Sequence, residues 1–230
     1  MSMFWWAVFP YICLGSMVFG SMYRYAYHPM SWTSKSSELF EKRWLSIGSM
    51  LFHWGLLFVI VGHVFGLLVP IEFYHRLGIS NKFYHMNAEL FGGLFGFVTL
   101  VGITILLLRR IFNERVRANS DISDYVTDIV LWIVIALGEA MTTIWDTVFG
   151  PYEYRTTVGP WVRSLFTFQP RIELMAHVPL LFQIHIVASF VLFGITPFTR
   201  LVHVFSAPAR YVFRAPMQYR SRTRYVRRPD

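Results

Sequence analysis

Four histidines fall inside apolar stretches of this 230-residue chain, where a titratable side chain needs a reason. His53 and His63 lie ten residues apart in FHWGLLFVIVGHVFGLLV (52–69), which holds no other titratable group. His185 in FQIHIVASF and His203 in RLVHVFS lie eighteen apart. An imidazole in hydrocarbon is costly unless it finds a partner or a ligand. Two imidazoles facing each other from separate helices are the arrangement that ligates a six-coordinate b-type haem. Four of them supply two such sets. A proton path and a metal site in a transporter use the same residue type and stay open at this point.

The composition shows what must position these residues. The chain is 55% hydrophobic, 18% aromatic and only 15% charged, against about 25% charged in an ordinary soluble domain. Several apolar runs exceed the ~18–20 residues that cross ~30 Å of hydrocarbon, and backbone groups in lipid pair internally, so each run is a helix. We expect an all-α integral membrane protein, a bundle of five spans near 4–23, 45–69, 84–108, 125–149 and 178–205. Residues 1–205 form the membrane domain and 206–230 a basic tail. One cysteine, Cys13, leaves no intrachain disulfide, cysteine zinc site, iron–sulfur cluster or C-x-x-C-H haem attachment; it reads as a small apolar packing residue. The N-terminus MSMFWWAVFPYICLG lacks the basic region of a cleaved signal and reads as a retained first span.

The net charge of +8 follows topology rather than nucleic acid, since the basic residues flank the spans and form no aromatic–basic reading surface. After spans one, three and five stand sixteen Lys and Arg, including Lys42, Arg109, Arg110, Arg200 and the tail RYVFRAPMQYRSRTRYVRRPD. The other side has five: Arg76, Lys82, Arg155, Arg163 and Arg171. The positive-inside rule then places the N-terminus outside and the C-terminus in the cytoplasm. The tail would meet lipid headgroups or a cytoplasmic partner. In the outer loop 150–177, GPWVRSLFTF puts Trp161, Leu165, Phe166 and Phe168 on one face of an interfacial helix.

With spans two and five antiparallel, His63 and His185 sit near the outer face and His53 and His203 near the inner face. At ~1.5 Å per residue the first two lie about 15 Å apart along their helix and the last two about 27 Å. Eighteen residues is five turns, so His185 and His203 share a face. Ten residues leave His53 and His63 about 80° out of register, for tilt and a kink at Pro197 to absorb. Gly15, Gly20, Gly92, Gly93 and Gly96 permit close approach of a helix or a planar cofactor. Glu139, mid-span in IVIALGEAMTTI, is an ionisable intramembrane group, either protonated and bonded to a neighbouring helix or accepting from a ligand histidine.

FHWGLLFVIVGHVFGLLVP, FQIH, PFTRLVHVFSAP and, after span one, RYAYHPMSWTSKSSELFEKR resemble the gamma subunit of membrane-bound respiratory nitrate reductase. The resemblance covers nearly the whole chain and includes both histidine spacings. It implies a di-haem cytochrome b of the bacterial or archaeal cytoplasmic membrane that oxidises quinol (menaquinol or ubiquinol) near the outer face. Electrons would pass from the outer haem (His63, His185) to the inner (His53, His203), then to an iron–sulfur beta subunit and a molybdenum-containing alpha subunit that reduces nitrate to nitrite. The family's quinol-binding lysine beside the start of span three has no exact counterpart in NKFYHMNAELFGG; Lys82 and His85 are the nearest basic residues. Arg109 and Arg110 would meet the inner haem's propionates or serve as positive-inside anchors. Related cytochromes of heterodisulfide-reductase-like or sulfite-reduction complexes share these features. A haem-free transporter or passive anchor is the reading from another class.

Overall fold

A computed structural model describes residues 2–34 and 36–206. Apart from Ser206, the basic tail expected over 206–230 lies outside the described residues, which contain only helices, turns and coil. Five helices are long and apolar enough to cross a membrane. They are α1 (Phe4–Tyr27), α2 (Arg43–Leu68), α3 (Asn81–Phe112), α4 (Ile122–Phe149) and, after a short connecting helix α5 (Val158–Phe166), α6 (Leu180–Ile195), which continues as a 3₁₀ turn to Phe198. Most of each span faces outward: Leu57, Phe58, Ile60, Phe65, Leu90 and Phe97 are exposed. In water these side chains would form an untenable apolar patch; against lipid tails they are the expected surface.

Association therefore rests on close packing rather than on hydrophobic burial. The α2–α3 crossing is nearly backbone on backbone. A Cβ added at Gly102 would fall 2.8 Å from Phe52 Cα and 3.0 Å from the Gly48 carbonyl, and one at Gly55 would fall 2.9 Å from Thr99 N. Only hydrogen fits at these positions, and that fixes how α2 is rotated. Helix starts follow sequence rules: the Ser80 side chain accepts from Phe83 N (3.2 Å) at α3, and Asp121 with Asp124 forms a capping box at α4.

Cys13 is buried, and a Cβ on Gly194 would approach its Sγ at 3.4 Å, so it packs α1 against α6. At the end of the bundle that holds the 150–177 loop, α5 folds inward. Val158, Trp161 and Leu165 enter the core, with Trp161 fully buried and its indole N–H donating to Trp6 O (2.9 Å). Phe166, the last residue of α5, is 67% accessible, and Phe168, past the helix end at φ 56°, is 80% accessible. The single apolar face expected over these four residues is thus divided, because α5 has the bundle on one side of it.

The fifth span also departs from expectation. A continuous helix over 178–205 does not form: α6 ends at Ile195, a 3₁₀ turn spans Thr196–Phe198, Thr199 is extended, and a second 3₁₀ segment covers Arg200–Ser206. Pro197 lacks an N–H and cannot extend the α ladder. Arg24 of α1 takes up the carbonyls left open, donating from Nη1 to Pro197 O (2.8 Å) and Thr199 O (2.6 Å). Gly20 makes room for the proline ring, since a Cβ there would sit 2.8 Å from Pro197 Cγ.

Candidate functional site

The four histidines form two pairs, each with one member on α2. His63 faces His185 and His53 faces His203, with ring centroids 6.3 Å apart in both cases. The ring planes differ by 27° in the first pair and by 59° in the second. Every one of the four has Nδ1 against a main-chain carbonyl: Val59 for His63 (2.8 Å), Val134 for His185 (3.0 Å), Ser49 for His53 (2.8 Å) and Arg200 for His203 (2.6 Å). A carbonyl only accepts, so each Nδ1 carries the proton and each Nε2 keeps its lone pair. That tautomer is the one a metal ligand needs, and the carbonyl fixes the ring's direction as well.

Local structure explains the carbonyl partners. His53 and His63 lie on the regular part of α2, where a side chain reaches back to the carbonyl four residues before it. His203 reaches back three residues because it stands on a 3₁₀ segment. Only His185 crosses to another helix. The 80° register difference on α2 persists, since Arg43–His63 is uninterrupted α-helix; the break at Pro197 re-aims His203 to meet it.

The space beside the pairs is open on the α2 side. His53 and His63 are exposed, and a Cβ on Gly62, next to His63, would meet nothing within 4 Å. A groove of about 530 Å³ runs alongside His53, bordered by Lys42, Ser46, Ser49, Met50 and Trp54. Among the described residues no cluster of three or more His, Cys, Asp or Glu side chains is arranged to hold a metal ion. Among the described residues, each pair thus offers two imidazole nitrogens and no third His, Cys, Asp or Glu side chain.

Other residues singled out in the sequence lie elsewhere. Gly92 and Gly93 face α4, where added Cβ atoms would stand 3.5 Å and 3.6 Å from the methyls of Thr142 and Thr143. Gly96 also faces α4 and receives the Glu139 carboxyl, whose Oε2 is buried without a hydrogen-bond partner. Arg109 is buried and donates to Glu41 (Nε to Oε2, 2.7 Å) and to Ser37, tying the 37–41 segment to α3. Arg110 contacts Asp124 (3.1 Å) and Asp128 (2.7 Å) of α4. Both guanidiniums are therefore engaged by protein acceptors. Lys82 is exposed on the first turn of α3. His85, one turn further in, is half-buried with Nε2 2.9 Å from Glu153 Oε2.

That His85 contact opens onto a network the sequence reading missed. Arg155, 1% exposed, grips Glu153 through Nε and Nη2 (2.7 Å each) and stacks 3.8 Å over the Tyr84 ring, whose hydroxyl meets Tyr154 at 3.1 Å. Burial pushes the Glu153 carboxyl up, but the hydrogen bonds and charges of Arg155 and His85 outweigh it and hold its pKa below the ordinary 4.5. A Cβ on Gly66, three residues past His63, would contact the Tyr154 and Tyr84 hydroxyls, so this network closes over the His63 end of α2. A glutamate and an arginine two residues apart in a loop gave no sign of it.

Comparison with known proteins meets this geometry from the other side. The profile of the family described as "Nitrate reductase gamma subunit" matches residues 2–222. The chain belongs to this family. It is 46% identical to the nitrate reductase gamma chain of Bacillus subtilis over 218 residues, 95% of this chain and 97% of that one. It is 38% identical to the respiratory nitrate reductase 2 gamma chain of Escherichia coli, over 96% of this chain and 98% of that one. A more distant relative, 28% identical over 74% of this chain and 51% of its own length, is an Hdr-like menaquinol oxidoreductase cytochrome b-like subunit of Archaeoglobus fulgidus. This member of the family is thus a multi-pass bundle with four histidines in two facing pairs, three of them on membrane-length helices and His203 on the 3₁₀ segment beyond the fifth.

Proposed function

We propose that this gamma subunit binds two b-type haems, one at His63 and His185 and one at His53 and His203, and carries electrons from quinol to a nitrate-reducing complex. The observation that carries the reading is the matched geometry of the pairs. Facing imidazoles whose centroids lie about 6.3 Å apart would leave room for an iron between them at about 2.0 Å from each ring nitrogen. Both pairs have this spacing, and all four rings are held as Nδ1–H tautomers. Two nitrogens without a third donor fall short of a zinc set and suit a planar macrocycle that supplies the remaining ligands. Bound there, each haem supplies a one-electron carrier.

The protein's own contribution is position and proton handling. With the positive-inside orientation, the His63/His185 pair lies near the outer face and the His53/His203 pair near the cytoplasm. Quinol is oxidised at the outer end, with Lys82 and His85 as the candidate contacts. Because Nε2 of His85 is taken by Glu153, Nδ1 is the nitrogen that meets a quinol hydroxyl, and Glu153 stabilises the imidazolium formed on proton uptake. Electrons move inward while protons leave outside, so charge separates without a proton channel; each charge works against ~2.3 kcal/mol per 100 mV. The electrons pass to an iron–sulfur beta subunit and a molybdenum-containing alpha subunit on the cytoplasmic side. Arg109 and Arg110 brace the cytoplasmic rim. The higher identity and fuller coverage of the nitrate reductase chains favour this partner over a heterodisulfide-reductase-like complex.

Single replacements test the pairing in the purified intact complex. His63→Ala or His185→Ala removes one haem of two and stops quinol oxidation; His53→Ala or His203→Ala removes the other and blocks transfer to the partner. Two haems retained in any of the four variants would refute the pairing.

A further inference from the structure

α4 contributes no histidine, yet both ligands of the fifth span are fastened to it. His185 is held directly, through Val134 O (3.0 Å). His203 is held at one remove. Its Nδ1–H donates to the carbonyl of Arg200 (2.6 Å), and the guanidinium of Arg200 donates from Nη2 to Asp124 Oδ2 of α4 (2.5 Å), with Asp121 at 3.4 Å. Asp124 and Val134 are ten residues apart on α4, as His53 and His63 are on α2, so the helix that holds and the helix that ligates have the same axial spacing.

Asp124 is unusual for an N-terminal helix residue. It is 3% exposed, and its Oδ2 also receives Arg110 Nη1 of α3 at 3.1 Å, while Arg110 Nε bonds Asp128 at 2.7 Å. It also closes the capping box by accepting from Asp121 N (2.9 Å). A buried carboxylate sharing two guanidiniums joins α3, α4 and the Arg200–Ser206 segment at one point. That segment needs such a point. After Pro197 it is no longer part of α6, and a 3₁₀ run has poorer hydrogen bonds than an α-helix. Its buried anchors are Thr199 and the fully buried Val202. The bundle therefore sets the direction of the His203 imidazole through the Arg200 residue, and α4 holds Arg200 through Asp124.

We propose that Asp124 is the positioning residue of the His53/His203 pair: by fixing Arg200 it orients the Arg200 carbonyl that sets the tautomer and direction of His203. The proposal rests on the haem reading of that pair. Carbonyl partners of ligating histidines tune both affinity and electronic properties of the bound metal, so the signature should appear in one haem only.

The test uses Asp124→Asn in the intact complex, read by low-temperature electron paramagnetic resonance and by a redox titration that resolves the two haems. Expected is a shifted midpoint and an altered low-spin ferric signal for the inner haem, with the outer haem unchanged, and recovery towards wild type in Asp124→Glu. If Asp124→Asn does not accumulate, Arg200→Lys, which keeps the charge but offers a single nitrogen, is read in the same way. An unchanged inner signal would overturn the proposal. So would equal changes at both haems, which mark a general folding role. Wild-type complex without haem would instead refute the haem reading itself, a distinct outcome.

Discussion

The two histidine pairs have equal spacing but different supports. The His63/His185 pair, outer in the proposed orientation, stands on regular helices: His63 bonds its own preceding turn, and His185 reaches the backbone of a helix it packs against. Helix packing and two main-chain hydrogen bonds define it. The His53/His203 pair, inner in the same proposed orientation, joins a regular helix to a 3₁₀ segment beyond a proline break, and buried ions with Arg24 hold that segment in place. The outer site follows from helix geometry once the spans are packed; the inner site requires side chains from α1, α3 and α4 to meet at one end of the bundle. Identical ligand chemistry can thus be reached by backbone regularity or by a polar clamp.

The difference predicts unequal fragility. The largest effect is expected from Arg24→Ala, which strips the donor from Pro197 O and Thr199 O. Leaving such partly buried carbonyls unpaired costs about 1–3 kcal/mol. Haem analysis of the purified complex should show the inner site losing occupancy while the outer stays filled. Equal loss from both sites would erase the contrast.

Acid should affect both ends, each through its own carboxylate. Burial raises Glu41, but the backbone N–H of Trp44, Arg109 and the N–H of Leu45 outweigh it and lower its pKa, as Arg155 and His85 do for Glu153. A folded-state pKa below the unfolded value gives stability that is full above about 4.5 and lost as pH falls through the lowered value. Glu153→Gln should flatten the acid dependence of hydrogen exchange around 150–157 alone, and Glu41→Gln that around 36–45 alone. Cross-effects between the ends would contradict the separation.

The smallest effect is spectroscopic. If each pair holds a haem as proposed, the His63/His185 site, with ring planes 27° apart, should give the more rhombic ferric spectrum, and the His53/His203 site, at 59°, the more anisotropic one. The reverse order would count against the ring geometry described.

What the sequence made legible follows from periodicity and charge. Apolar length located the spans, and the depth of His53, His63, His185 and His203 along antiparallel helices defined the pairs before any coordinate was known. Pro197 announced a disturbance, but not that α6 would stop there, because whether a helix resumes after proline depends on what satisfies its free carbonyls. Here Arg24 does so, from the other end of the sequence. The apolar face of α5 was misjudged because Phe166 and Phe168 are as apolar as Trp161 and Leu165, yet the helix stops at Phe166 and only the bundle's position decides which residues are inside. Nothing in the sequence marked out Asp124, and Arg155 stood only among the five basic residues of the less basic side. Their partners are set by tertiary proximity, which no local pattern encodes.

Each site takes one histidine from the second span and one from the fifth, with two spans between them in the chain. During synthesis, therefore, neither site has both its ligands until the last span has entered the bilayer. If each pair holds a haem as proposed, neither could bind it until the last span is in place. A chain truncated before α6 would offer two half-sites, and a fully inserted one becomes competent at both faces together.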